Sequence, residues 1–279
     1  MNSYVKQQTA SFCVPPNTVS SSPQSVVLVL MQAPVIIGAV GGSGTRVVAR
    51  IVRHAGFFIG SNLNESEDAL DFVEFYDRWI NRYIRSRAEP LLREEASRMN
   101  AEFESCLMRH RSGITEPSKL WGWKEPRSIY LLPFFHAHFL QMKFIQVVRD
   151  GRDMAFSGNQ NQLRKHGCAV LEPELNAAPQ PVRTAALWSA VNLTAAAYAE
   201  AHLGASYLAV RFESLCADPN LVVERIFSFL GAPRTSVASA IDEITPPATI
   251  ERWKLTRDQS LLDAISNQAR VALQKFGYG

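Results

Sequence analysis

Cysteine is scarce in this chain. Only four occur in 279 residues, Cys13, Cys106, Cys168 and Cys216, with no Cys-x-x-Cys pair and no histidine spaced to complete a zinc site. That excludes a disulfide scaffold and a zinc-stapled fold, and the thiols read as reduced groups in a reducing, cytoplasmic compartment. Excess charge of one sign is lacking as well. Lys and Arg total 29 against 26 Asp and Glu, a net charge of +3. This is too little to hold a nucleic acid or an anionic membrane, yet compatible with a local basic pocket for a small anion. Long apolar runs are also missing. The stretch 26–40 is broken by Gln32 and Pro34 and follows no basic segment. Its runs fall well short of the ~18 residues that would span a bilayer. There is no internal repeat, and the low-complexity character is confined to the N-terminal leader.

What is present fits a globular α/β enzyme. The length suits one large domain, and 47% hydrophobic with 20% charged residues is ordinary for a soluble protein. The first two dozen residues are polar and rich in Ser, Pro, Gln and Asn, so residues 1–33 are expected to be a disordered leader, with Met31 an alternative start. Residues 34–279 are then a single domain carrying a helical insertion at about 66–110. Three short apolar runs, 34–40, 143–148 and 206–211, end at polar or Gly-rich turns and predict parallel strands buried on both faces. Each precedes a helical pattern, at 45–55, 152–162 and 219–230; residues 183–202 form another helix. This alternation predicts βαβ units and a central parallel sheet flanked by helices, with ligands at the carboxyl ends of the strands. In the insertion, Phe72, Phe75, Tyr76, Trp79 and Tyr83 share one helical face, which either packs on the core or caps a substrate.

Two segments carry anion chemistry. The first strand runs into Gly41-Gly42-Ser43-Gly44-Thr45-Arg46 and then a helix. Glycines let backbone N–H groups turn inward, the helix N-terminus adds its positive end, and Ser43 and Thr45 add hydroxyl donors. The nucleotide-kinase pattern G-x-x-x-x-G-K-[ST] fails at its lysine, since Arg46 follows the threonine. The second segment is the strand 143–148 followed by Arg149, Gly151, Asp153 and Ser157. An arginine at the strand end and a serine on the following helix can grip one phosphate, while the i, i+4 spacing also suits an Arg149–Asp153 ion pair.

Together the two segments resemble the PAPS-dependent sulfotransferase superfamily. The first is similar to its 5′-phosphosulfate loop, a basic residue before Ser-Gly-Thr, and the second to its 3′-phosphate motif, Arg-x-x-x-Asp-x-x-x-Ser. Trp123-Lys124-Glu125-Pro126-Arg127, the strand end Val210-Arg211-Phe212-Glu213-Ser214-Leu215 and Arg252-Trp253-Lys254 resemble segments of bacterial members. The resemblance implies a three-layer, P-loop-like α/β fold and transfer of a sulfuryl group from PAPS (3′-phosphoadenosine 5′-phosphosulfate), without a metal. The acceptor would be a hydroxyl or amine of a small molecule or carbohydrate. It implies that Gly41 to Arg46 hold the 5′-phosphosulfate, that Arg149 and Ser157 hold the 3′-phosphate, and that Arg211, Arg252, Trp253 and Lys254 lie near the nucleotide. One position departs from the family: Gly42 stands where a Lys or Arg usually precedes Ser-Gly-Thr. A cation is still required as charge develops on the leaving phosphate, and Arg46 and Lys124 are the candidates. The general base is expected among Glu65 and Asp68, although Ser66-Glu67-Asp68 also reads as a helix cap with first-turn acids. A nucleotide or small-molecule kinase, and a protein that binds the bisphosphate without turnover, are the competing readings.

Overall fold

A computed structural model describes residues 33–116 and 119–279 of the protein. The expected disordered leader and the alternative start at Met31 lie, but for Ala33, outside the described residues. Four parallel strands form one sheet: β1 (Val35–Ala39), β2 (Gly122–Lys124), β3 (Lys143–Val148) and β4 (Tyr207–Arg211), in the order β2-β1-β3-β4. All five residues of β1 are buried, as a strand covered on both faces requires.

The side-chain alternation of β1 sorts the two faces. Val35, Ile37 and Ala39 join Ile145, Val147, Leu208 and Val210 against α1 (Thr45–His54) and, later in the chain, the helix Pro219–Leu230. Ile36 joins Phe144 and Val148 on the opposite face, against the long helix Gln180–His202 and the aromatic helices of the 66–110 region. The result is helix, sheet, helix: a three-layer α/β fold. Each fully buried Val, Ile, Leu or Phe contributes about 1.5–3 kcal/mol, so the two faces together hold the sheet between its layers.

In chain order the remaining helices are α2 (Val73–Arg85), α3 (Arg93–Arg111), α4 (Leu132–His138), α5 (Gly151–Ala155), α6 (Asn161–Val170), α7 (Gln180–His202), α8 (Phe212–Ala217), α9 (Pro219–Leu230), α10 (Val237–Ile241) and α11 (Gln259–Lys275). Phe72, Phe75, Tyr76 and Trp79 are buried with Phe103, Phe134 and Phe135, so the aromatic stripe is core packing. No helix among the described residues is long and apolar enough to cross a membrane.

Two expectations need correction. The helix expected over 152–162 is two helices, α5 and α6. Gln160 interrupts it: its Nε2 donates to the Met154 carbonyl at 3.3 Å and to the Ser157 carbonyl at 2.7 Å, taking acceptors that a continuing helix would use. Ser157 therefore sits in the connecting turn, beyond the end of α5, and not on a helix. β2 is a fourth strand, absent from the three that the apolar runs predict. It owes its form to pairing, with Val35 opposite Gly122 and Ile37 opposite Lys124.

Candidate active site

Register decides which loops meet. Ala39 lies opposite Val147 and Val148 opposite Arg211, so the segments leaving β1, β3 and β4 emerge side by side at one end of the sheet. The first is the glycine loop. Ser43 is buried, and its Oγ donates to the Val40 carbonyl at 2.6 Å, closing the turn on itself. Gly42 (φ +94°) and Gly44 (φ +85°) occupy the left-handed region that disfavours any side chain. A Cβ at Gly44 would collide with the Phe212 ring, and one at Gly42 would lie 3.5 Å from Ser157 Oγ. Thr45 begins α1, whose first turn has no acidic residue to compete with an anion for the helix amides.

The second element centres on Arg149, which is buried at the mouth of β3. Its Nη2 donates to Asp153 Oδ2 and to Thr249 Oγ1, each at 3.1 Å, and to the Thr249 carbonyl. Its buried Nε donates to no acceptor among the described residues. The guanidinium carbon stands 5.5 Å from the centre of the Phe212 ring, the same ring that Gly44 approaches. The structure thus brings Gly44 and Arg149 against the Phe212 ring, and Gly42 of the same loop against Ser157.

Asp153 is the residue that sequence reasoning undervalued. It is fully buried, and besides Arg149 it accepts from the backbone N–H groups of Glu251 (2.9 Å) and Trp253 (3.2 Å). This fastens the strap 249–254, a single 3-10 turn at Arg252–Leu255 with its lead-in, across the Arg149 site. Arg252 Nε and Nη1 donate to the carbonyls of Thr249 (3.2 Å) and Phe156 (3.4 Å). Burial, followed by the neighbouring positive charge of Arg149, holds the Arg252 guanidinium below its usual pKa. Two guanidiniums pressed together in this way favour a shared anion. The local Arg149–Asp153 spacing was visible in the sequence; the attachment of a strap about a hundred residues away had no local signal.

The remaining expected residues divide. Lys124 is fully buried at the end of β2, where its Nζ donates to Asp68 Oδ1 at 2.5 Å and to the Ser66 carbonyl. Burial lowers its pKa and the Asp68 carboxylate opposes that fall. Arg46 is exposed, and its Nη1 reaches the Glu65 carbonyl at 3.4 Å. Both candidate cations therefore touch the 65–68 turn that carries both candidate bases. The helix cap anticipated there does not form. Glu67 pairs with Arg50 (2.6 Å) and Arg53 instead, and Asp68 accepts from Lys124 and from Asn64 Nδ2 at 3.0 Å. Trp253 presents its ring to Arg152 at 4.1 Å, and Lys254 is exposed and paired with Glu251 at 2.6 Å. Arg211 lies apart from the loop, stacked 4.3 Å over the Tyr278 ring, whose hydroxyl donates to Glu213 Oε2 at 2.7 Å.

Residues 34–236 match the profile of the Sulfotransferase family. The chain belongs to that family. Solved structures agree with the fold of this sulfotransferase. Sulfotransferase STF9 from Mycobacterium avium is 13% identical with a TM-score of 0.57, over 90% of this chain and 79% of that one. The sulfotransferase domain of the Synechococcus PCC 7002 olefin synthase is 15% identical with a TM-score of 0.51, over 89% and 96%. Sulfotransferase STF1 from Mycobacterium tuberculosis H37Rv is 14% identical with a TM-score of 0.50, over 88% and 79%. Identities this low speak for the fold alone. Among curated proteins nothing matches.

Proposed function

We propose that this sulfotransferase moves a sulfuryl group from PAPS to a hydroxyl or amine of a small-molecule or carbohydrate acceptor, releasing adenosine 3′,5′-bisphosphate. One observation carries the reading. The glycine loop meets Arg149 across the Phe212 ring and Ser157 at Gly42, at neighbouring strand ends, which supports two adjoining anion cradles. The residues present fit such a donor: Arg149 Nε is a buried donor lacking an acceptor among the described residues, and Gly42 and Gly44 hold the left-handed backbone that lets a loop present its amides to an anion.

When bound, the donor supplies an electrophilic sulfuryl group on a phosphate leaving group. The amides of Gly41 to Arg46, with the Thr45 hydroxyl, hold the 5′ end, and Ser43, its hydroxyl committed to the Val40 carbonyl, fixes the turn. Arg149, Ser157 and Arg252, with the strap at Trp253 and Lys254, hold the 3′-phosphate, while Arg211, stacked on Tyr278, takes no part in it. Arg46 and Lys124 supply positive charge to the leaving oxygen, the role that Gly42 cannot fill. Glu65 or Asp68 takes the proton that the acceptor loses. We place this chemistry in the cytoplasm, where the cysteines stay reduced.

The test is titration with the bisphosphate. At 100 times Kd it should stabilise the fold by about 2.7 kcal/mol. Arg149→Ala should weaken binding by about 1.5–3 kcal/mol, roughly ten- to a hundredfold. An equal shift with ATP, or wild-type affinity in the variant, would overturn the donor assignment. A second reading, binding without turnover, is favoured by the left-handed backbone at Gly42, which leaves the loop without its usual cation. Tight bisphosphate binding with no labelled sulfate transferred across an acceptor panel would select it.

A further inference from the structure

β4 is an edge strand, and no strand among the described residues pairs with its outer side. Edges of this kind are normally covered or blunted. Here a cleft of about 250 Å³ runs along residues 208–211 instead. One wall is α9, through Val222 and Ile226; the other is the end of α11, with Phe276. The walls are apolar, but three of the lining residues are cations: Arg211, Arg225 and Lys275. No acidic side chain lines the cleft. Lys275 is paired with Glu200 at 2.6 Å, from outside it. Arg211 stacks on Tyr278, and its buried Nε meets no acceptor among the described residues.

We infer that this cleft binds a small organic anion, a carboxylate or sulfate ester with an apolar body, separately from the nucleotide crevice. Three observations make the case. The volume lies just below the range that encloses drug-sized ligands, which suits a ring-sized body. The apolar walls require such a body to exclude water, and a bare oxyanion would leave them wet. The three cations then fix the charged end, since a guanidinium pairs best with a planar carboxylate or a sulfate oxygen pair. The cleft lies on the side of β4 away from β3, whereas the glycine loop and Arg149 follow β1 and β3. The inference does not rest on the sulfuryl-transfer reading, and the two can fail separately.

Calorimetric titration of the full chain with benzoate, benzamide and inorganic sulfate tests it, without and with saturating adenosine 3′,5′-bisphosphate. Benzoate should bind saturably, about tenfold more tightly than either benzamide or sulfate, and the bisphosphate should not displace it. Arg225→Glu reverses an exposed charge and should weaken benzoate about tenfold; Val222→Phe, which fills the cleft, should abolish it. Both variants should keep wild-type bisphosphate affinity. Equal binding of benzamide or sulfate, displacement by the bisphosphate, or unchanged benzoate affinity in both variants would each overturn the inference.

Discussion

Asp153 accepts from Arg149 Nη2 and from the backbone N–H groups of Glu251 and Trp253, so one carboxylate serves a side chain four residues back and a strap a hundred residues on. A buried ion pair contributes little in net terms, but removing one partner leaves an uncompensated charge and costs about 3–5 kcal/mol. Asp153→Asn preserves shape and removes the charge that balances Arg149. It should lower the unfolding free energy by about that amount in urea titrations and also weaken bisphosphate binding. A variant with wild-type stability would show that the contact is incidental. The Arg149–Asp153 spacing could be read from the motif itself, because i, i+4 pairs are local. Its role as an anchor could not, since hydrogen bonds to distant backbone leave no periodic trace in a sequence.

At the scale of elements, the strap 249–254 enters through Glu251, one of two non-glycine residues in the left-handed region, at φ +62°. That conformation costs an L-residue roughly 1–2 kcal/mol. The backbone N–H of Glu251 is held by Asp153, so packing keeps the residue there. Its side chain makes only an exposed pair with Lys254, worth a few tenths of a kcal/mol. Glu251→Gly should therefore stabilise the protein by about 1 kcal/mol in thermal or chemical melts, and a loss of stability would refute the strain. Legibility in the sequence followed local periodicity. Continuous apolar runs announced β1, β3 and β4, and the helical pattern at 219–230 announced α9, whose N-cap Asp218 accepts from Leu221 N. β2 was hidden because three residues, Gly122–Lys124, carry no period of their own. The break between α5 and α6 coincides with Ser157-Gly158-Asn159, a turn signal that the expected helix overran, and Gln160 holds it by taking the Ser157 carbonyl. The same limit applied to the site. Each anion loop was visible alone, while their meeting at Phe212 is a consequence of strand order.

For the whole molecule, buried histidine sets a response to acid. His166 is buried, with Nδ1 against Asn81 Oδ1 at 2.8 Å and Nε2 facing no acceptor. Burial first, then the charges of Arg127 and Lys165 against the opposing Asp77, lower its pKa to about 4. In the unfolded chain the group titrates near 6.5, so between about 6.5 and 4 the unfolded state binds the extra proton. Stability therefore falls as the pH drops through that window, by at most about 3 kcal/mol from this group. His166→Gln should flatten that part of a pH series of urea midpoints; an unaltered slope would assign the effect to the carboxylates.

The sheet order has one further consequence, for synthesis on the ribosome. β1 is fully apolar and central, yet both of its neighbours lie far downstream, starting at Gly122 and Lys143. At about 5–20 residues per second, the nascent strand waits several seconds to roughly twenty before β3 is even made. During that interval its sticky edges are open to other chains, so holding by chaperones during translation, more than final stability, should govern how much of the enzyme a cell recovers in native form.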